Sequence, residues 1–255
     1  MSAACPYPDR MPSAHSLDPA VTVVLVDSPE SIDLSARADE LDRQEQANWR
    51  ALRRPADRRR YLVAHIGLRD ALAQRLGLDP RDVRLGNDPC PVCCSSDHGR
   101  PISMDDPAST HWSISHTDGL VAIAVGSSAL GIDVESIAGA GDTEFLDHVG
   151  THPDDAASIA SVASLHGDQV LGRTRLARWA RLEAVLKATG AGLGIDPSTV
   201  AVGVSGPRTL TPPAPRPDCD RPSPLTVTDL DVGQGHVGAL AVAGTAPLVA
   251  SSTWT

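Results

Sequence analysis

His111 to Ser136 reads HWSISHTDGLVAIAVGSSALGIDVES, and its alternation decides the fold class. Three segments, HWSISHT, LVAIAVGSS and LGIDVESI, are short, apolar or alternating, and rich in Val and Ile, as strands are. In GIDVE the period of two puts Asp133 and Glu135 on one face, with Ile132 and Val134 on the other. Two carboxylates side by side on a strand repel each other and are tolerated where a cation sits between them. The plainer alternative is the polar face of an edge strand.

Working outward, VTVVLVD (Val21–Asp27) predicts a buried strand. A helical pattern runs from about Leu34 to Leu76, is interrupted at Pro55, and is closed by Gly77 with Pro80 beyond. A loop rich in Asp, Pro, Cys and Gly fills Gly86 to Pro107. A second helical region spans roughly Asp154 to Thr189, with Gly190 and Gly192 as stop signals. TVAVGVSG, LTVTDLDV and HVGALAVAG predict further strands, and Pro207 to Pro224 predicts a mobile loop. The helical regions echo one another: Tyr61, His65 and Arg69 share the spacing of Trp179, Glu183 and Lys187. The expectation is an α/β (α+β) fold of two similar halves, residues 21–126 and 127–255, after a flexible tail, 1–20.

Hydrophobic residues make up 41% of the 255 and charged residues 21%, ordinary for a soluble globular protein. No apolar run reaches the roughly 18 residues of a membrane span, and the first residues lack a basic segment followed by an apolar one. Five cysteines without an export signal point to reduced thiols in a cytoplasm. A net charge of −10 argues against nucleic acid as a partner. Lys187 is the only lysine, in a chain that otherwise uses arginine, which suggests a position needing a compact ammonium.

In WARLEAVLK the helical period places Trp179, Glu183 and Lys187 on one stripe, adding a third carboxylate and an ammonium. Three carboxylates suit a hard Mg²⁺ that takes remaining ligands from water and phosphate. A surface helix pair is the alternative for Glu183 and Lys187.

HWSISHTDGLVAIAV, GIDVES and WARLEAVLKATGAGL, with HGRP (His98–Pro101) and DRRRYLVAHIGLR upstream, resemble in order and spacing the Sfp-type 4'-phosphopantetheinyl transferases. The resemblance spans roughly Leu41 to Gly244. It implies that Asp133, Glu135 and Glu183 hold Mg²⁺ with the coenzyme A pyrophosphate and that Lys187 neutralises that pyrophosphate. It further implies that His116, with Ser115 nearby, meets the 3'-phosphate, while Arg60 and Arg100, and more loosely Arg53 and Arg54, meet the nucleotide end. Glu183 and Lys187 are the implied catalytic pair, with Glu183 the candidate base. The implied partner is an acyl or peptidyl carrier protein, and two halves in one chain imply a monomer. Arg173, Arg175 and Arg178 are a candidate docking patch for that carrier, against solvated surface residues.

One departure stands out: the family has lysine before the helix glutamate, where this chain has Leu182, so Arg181 is the candidate substitute. Leu182 is also what favours a catalytically silent coenzyme A-binding homologue. A further alternative is a structural zinc at Cys90, Cys93 and His98, Cys94 being adjacent to Cys93 and unable to serve with it.

Overall fold

In this computed structural model the described residues are 21–95, 98–139, 146, 149–166, 168–216, 222–244 and 249–253. The expected N-terminal tail lies outside them. Strand β1 (Val21–Asp27) is followed by helices α1 (Arg43–Ala51) and α2 (Pro55–Leu76). Pro55 opens α2 rather than bending it, and Gly77 ends it in the left-handed region, φ 69°. Strands β2 (Leu85–Asn87), β3 (Pro101–Ser103), β4 (His111–Thr117), β5 (Leu120–Gly126) and β6 (Leu130–Ser136) come next. Helices α3 (Pro153–His166) and α4 (Asp168–Thr189) precede β7 (Arg208–Leu210), β8 (Leu225–Asp229), β9 (His236–Ala243) and β10 (Val249–Thr253).

The strands form two sheets, ordered β10-β1-β5-β4-β3-β2 and β6-β9-β8-β7. The last strand returns to the first sheet, parallel to β1. Strand alternation sorts the core into layers. Val121, Ile123 and Val125 of β5 face Val63, Leu68 and Leu72 of α2. Leu120, Ala122 and Ala124, with Val21 and Val23, instead meet Ile132, Val134, Leu240 and Val242 of the second sheet. The far face of that sheet, including Ala239 and Ala241, lies under α4. Helix, sheet, sheet, helix is thus the order through the molecule, a mixed α+β fold in which each sheet carries one 22-residue helix.

Two features fix how β6 sits between the first sheet and α4. Strand β6 is an edge of the second sheet, so alternate amides point away from β9 and need acceptors. Ser113, Ser115 and Thr117 of β4 supply them: Ile132 N donates to Ser113 Oγ (3.1 Å), Val134 N to Ser115 Oγ (3.3 Å) and Ser136 N to Thr117 Oγ1 (3.2 Å). Across β6, Gly131 lets α4 approach the strand. A Cβ there would meet the Ala184 carbonyl oxygen, the Ala188 nitrogen at 2.7 Å and Lys187 Cβ at 2.8 Å.

Two expectations about strands are corrected. TVAVGVSG forms no strand, because side chains take its backbone groups: Asp155 accepts from Val202 N and Gly203 N, and Arg181 donates to Val202 O and Gly206 O. Within the expected Pro-rich loop, Arg208–Leu210 pairs with β8 as an edge strand.

Gly131→Ala is expected to lower stability by at least ~2 kcal/mol, since the added methyl meets backbone rather than a flexible side chain. The urea midpoint should fall with the m-value unchanged.

Candidate active site

The third and fifth residues of β6's GIDVE motif, Asp133 and Glu135, share Gly131's face and so point at α4, whose stripe of Trp179, Glu183 and Lys187 lies opposite. Lys187 Nζ donates to Asp133 Oδ1 (2.7 Å) and to the Ile132 carbonyl (3.1 Å). Ser115 Oγ donates to the same Asp133 oxygen at 2.8 Å, while Trp179 Nε1 donates to Glu135 Oε1 at 3.1 Å. Asp133 is buried, and its second oxygen, Oδ2, has no hydrogen-bond partner.

The charge balance is uneven: three carboxylates face one ammonium. Burial, outweighing the Lys187 ammonium, raises the Asp133 pKa. Burial and then the Asp133 charge push Glu135 up to about 7, and the same two causes raise Glu183. Clustered carboxylates held above their ordinary range, one with an orphaned buried oxygen, are what a hard divalent cation would relieve. The donor set therefore fits Mg²⁺ in chemistry and charge. Its oxygens are not drawn up to one point, however. Among the described residues, the three-ligand set whose atoms lie within 4.8 Å of one another is Cys90, Cys93 and His98.

Lys187 also lines a cleft of about 350 Å³, together with His98, Arg100, Trp112, Ser113 and Gly190 among others; the three carboxylates are not among its lining residues. Arg100 is anchored there by Asp88 at 2.6 Å. Gly190, φ 74°, abuts the Arg100 backbone, so the end of α4 and the HGRP turn form one rim.

The remaining expected contacts are dispersed. Ser115 and His116 alternate, so Ser115 is committed to Asp133 while His116 is exposed on the other face of β4. Desolvation and then the Arg60 charge lower the His116 pKa. Arg60 is held by Glu30 (2.7 Å) and by Asp118. Arg53 is exposed in the link between α1 and α2. Arg181 does not replace the missing lysine: it is fully buried, pairing with Asp229 at 2.7 Å, and Leu182 beside it is core. Arg178 leaves the proposed basic patch, being buried against Asp155 at 3.2 Å. What sequence reasoning missed was the support: Ser113, Ser115 and Thr117 as acceptors for β6, and Trp179 as the donor that fixes Glu135. The alternation S-x-S-x-T opposite a carboxylate-bearing strand was the available signal.

Residues 129–224, which contain the three carboxylates and Lys187, match the model of the 4'-phosphopantetheinyl transferase superfamily. The likeness is confined to this stretch of the chain. A protein of Thraustochytrium sp. named phosphopantetheinyl transferase is 27% identical over 166 residues, 60% of this chain. The match covers 54% of that protein, so the chain spans about half the length of the relative. The superfamily match includes the strand and helix that carry the acidic cluster, and no helix among the described residues is long and apolar enough to cross a membrane.

Behind the cleft, His111 is buried with its Nδ1 unpartnered, and desolvation followed by the Arg100 charge lowers its pKa to about 4. The native state thus keeps it neutral where the unfolded chain, with a pKa near 6.5, takes up a proton. The stability this confers is present above pH ~6.5 and is lost as pH falls through about 4. His111→Gln should flatten the slope of unfolding free energy between those values relative to the parent, as read from urea melts across pH.

Proposed function

We propose that the chain transfers the 4'-phosphopantetheine arm of coenzyme A to a serine of an acyl or peptidyl carrier protein, releasing adenosine 3',5'-bisphosphate. The observation that carries this reading is the facing of Asp133 and Glu135 on β6 against Glu183 and Lys187 on α4, Lys187 also lining a cleft with Arg100 on its rim. The superfamily match over the same residues supports it.

Asp133, Glu135 and Glu183 are the residues that would hold Mg²⁺, which when bound would neutralise the pyrophosphate and the charge on the departing oxygen. The rest belongs to side chains of the chain. Lys187 offers an ammonium to a phosphate oxygen, a point charge that needs no fixed orientation. Ser115 and Trp179 act as positioning residues, holding Asp133 and Glu135 against rotation. Arg100, stiffened by Asp88, presents a cation at the cleft rim for the nucleotide end, and Arg60, His116 and Arg53 are proposed as outer contacts to it. The serine hydroxyl attacks the β-phosphorus as the bond to the bisphosphate oxygen breaks. Glu183, raised above the ordinary carboxylate range by burial and Asp133, takes the serine proton. Charge neutralisation and positioning supply most of such catalysis.

The carrier would dock near the start of α4. Arg173 and Arg175 remain as its basic contacts, Arg175 lining a groove between α3 and α4 with Trp179. The silent-homologue reading gains no support, since Leu182 is core and does not face the cleft. A cytoplasmic monomer acting in polyketide or nonribosomal peptide assembly completes the proposal.

An apo carrier protein incubated with the chain, coenzyme A and Mg²⁺ should gain the mass of one phosphopantetheine, and a chelator should abolish the gain. Glu183→Gln should reduce transfer by ~10²-fold or more while its melting curve stays close to the parent's. Near-normal transfer by this variant would reject the role given to Glu183. Arg175→Glu should raise KM for the carrier several-fold and leave KM for coenzyme A unchanged.

A further inference from the structure

The turn between β2 and β3 gathers a second set of ligands that the transfer reaction does not use. Cys90 Sγ, Cys93 Sγ and a ring nitrogen of His98 lie within 4.8 Å of one another, with Cys93 Sγ 3.3 Å from His98 Nε2. All three thiols of the turn are free. The backbone is shaped around the first sulfur. Val92 N donates to Cys90 Sγ at 3.4 Å, and the turn is closed by Cys94 N to Cys90 O and Cys90 N to Ser95 O, each 2.8 Å. Amides aimed at a sulfur are the outer-shell contacts a thiolate ligand needs. Cys94 is left out: its φ of 61° turns the chain there, and its sulfur lies 4.0 Å from Arg216 Nη1.

We propose that Cys90, Cys93 and His98 bind one zinc ion, with a fourth position open, and that the ion rivets the β2–β3 turn to the C-terminal half. Two thiolates at C-x-x-C spacing and an imidazole suit zinc, and among the described residues no carboxylate joins the set, which disfavours magnesium. The riveting follows from what lies between the ligands. Val92 packs on the core under α4 and presses directly on Gly194, where a Cβ would collide with its Cγ2. Arg216 Nη1 donates to the Val92 carbonyl at 3.1 Å. His98 and Arg100, just beyond, line the cleft. Fixing Cys90 to His98 therefore fixes the rim against which α4 ends. Only this last consequence rests on the proposed transfer reaction; the ion site does not.

The test is metal content of the full-length chain, prepared without a histidine tag or added metal. Mass spectrometry of the metal should find roughly one zinc per chain. Cys90→Ser and Cys93→Ser should each lower that by ~10-fold or more, and Cys94→Ser should leave it unchanged. Titrating the metal-stripped parent with Co²⁺ should produce thiolate-to-cobalt charge transfer and the visible bands of a tetrahedral ion, a readout that needs no variant to fold. Absence of those bands would overturn the site. So would zinc retained in both serine variants, or a Cys90–Cys93 disulfide in the freshly prepared protein. Zinc found without any transfer activity would uphold this site and count against the proposed reaction alone.

Discussion

The structure depends on the closeness of α4 to β6. At Gly131 the strand and helix backbones approach so tightly that no side chain fits between them. That contact brings the next two residues of the same face, Asp133 and Glu135, under Lys187, Glu183 and Trp179. Side-chain length then sets the geometry: from one turn down the helix, an ammonium reaches an aspartate two residues along the strand. Moving the helix out by the width of a methyl group would lengthen each of these hydrogen bonds, which lose most of their value beyond about 3.5 Å.

The other side of β6 is equally constrained. An edge strand buried between two sheets has amides that no neighbouring strand receives. Here three hydroxyls at alternate positions on β4 receive them. The consequence is electrostatic as well as structural. Ser115 accepts from Val134 N through the oxygen with which it donates to Asp133, so one hydroxyl is oriented by the backbone and in turn orients the carboxylate. The junction of the halves and the preparation of the acidic cluster are thus the same set of atoms.

Much of this was legible in the sequence and some was not, for physical reasons. Period two in GIDVE and period 3.6 in WARLEAVLK placed Asp133, Glu135, Glu183 and Lys187 on faces, since alternation is a local property of the backbone. Gly77 after Leu76 marked a helix end because a left-handed residue favours glycine there. What failed depended on distant partners. Val200 to Val202 has strand composition, yet its amides and carbonyls went to Asp155 and Arg181, residues 47 and 21 positions away. Arg178 and Arg181 look like surface cations in the sequence, and each is buried because a fork of donors finds carbonyls and a carboxylate in one place. Nothing local in RWARLE distinguishes a buried arginine from an exposed one.

The sequence echo between α2 and α4 also gains a physical meaning. In α2 the charged members of the stripe Tyr61, His65, Arg69 are taken up: Arg69 is fully buried against Glu45 and the carbonyls of Pro80 and Val83, and His65 meets the same glutamate at 2.9 Å. Cation and anion are matched, and both carbonyl acceptors are filled, so the cluster has no uncompensated charge to offer a ligand. In α4 the corresponding positions carry Trp179, Glu183 and Lys187 and face two further carboxylates. One ammonium cannot balance three anions, and Asp133 Oδ2 is left without a donor. The same helical spacing therefore serves as an internal brace in one half and as an under-neutralised site in the other. The difference lies in charge count: a balanced buried cluster stabilises a fold, whereas an unbalanced one suits the cation-holding role proposed for it.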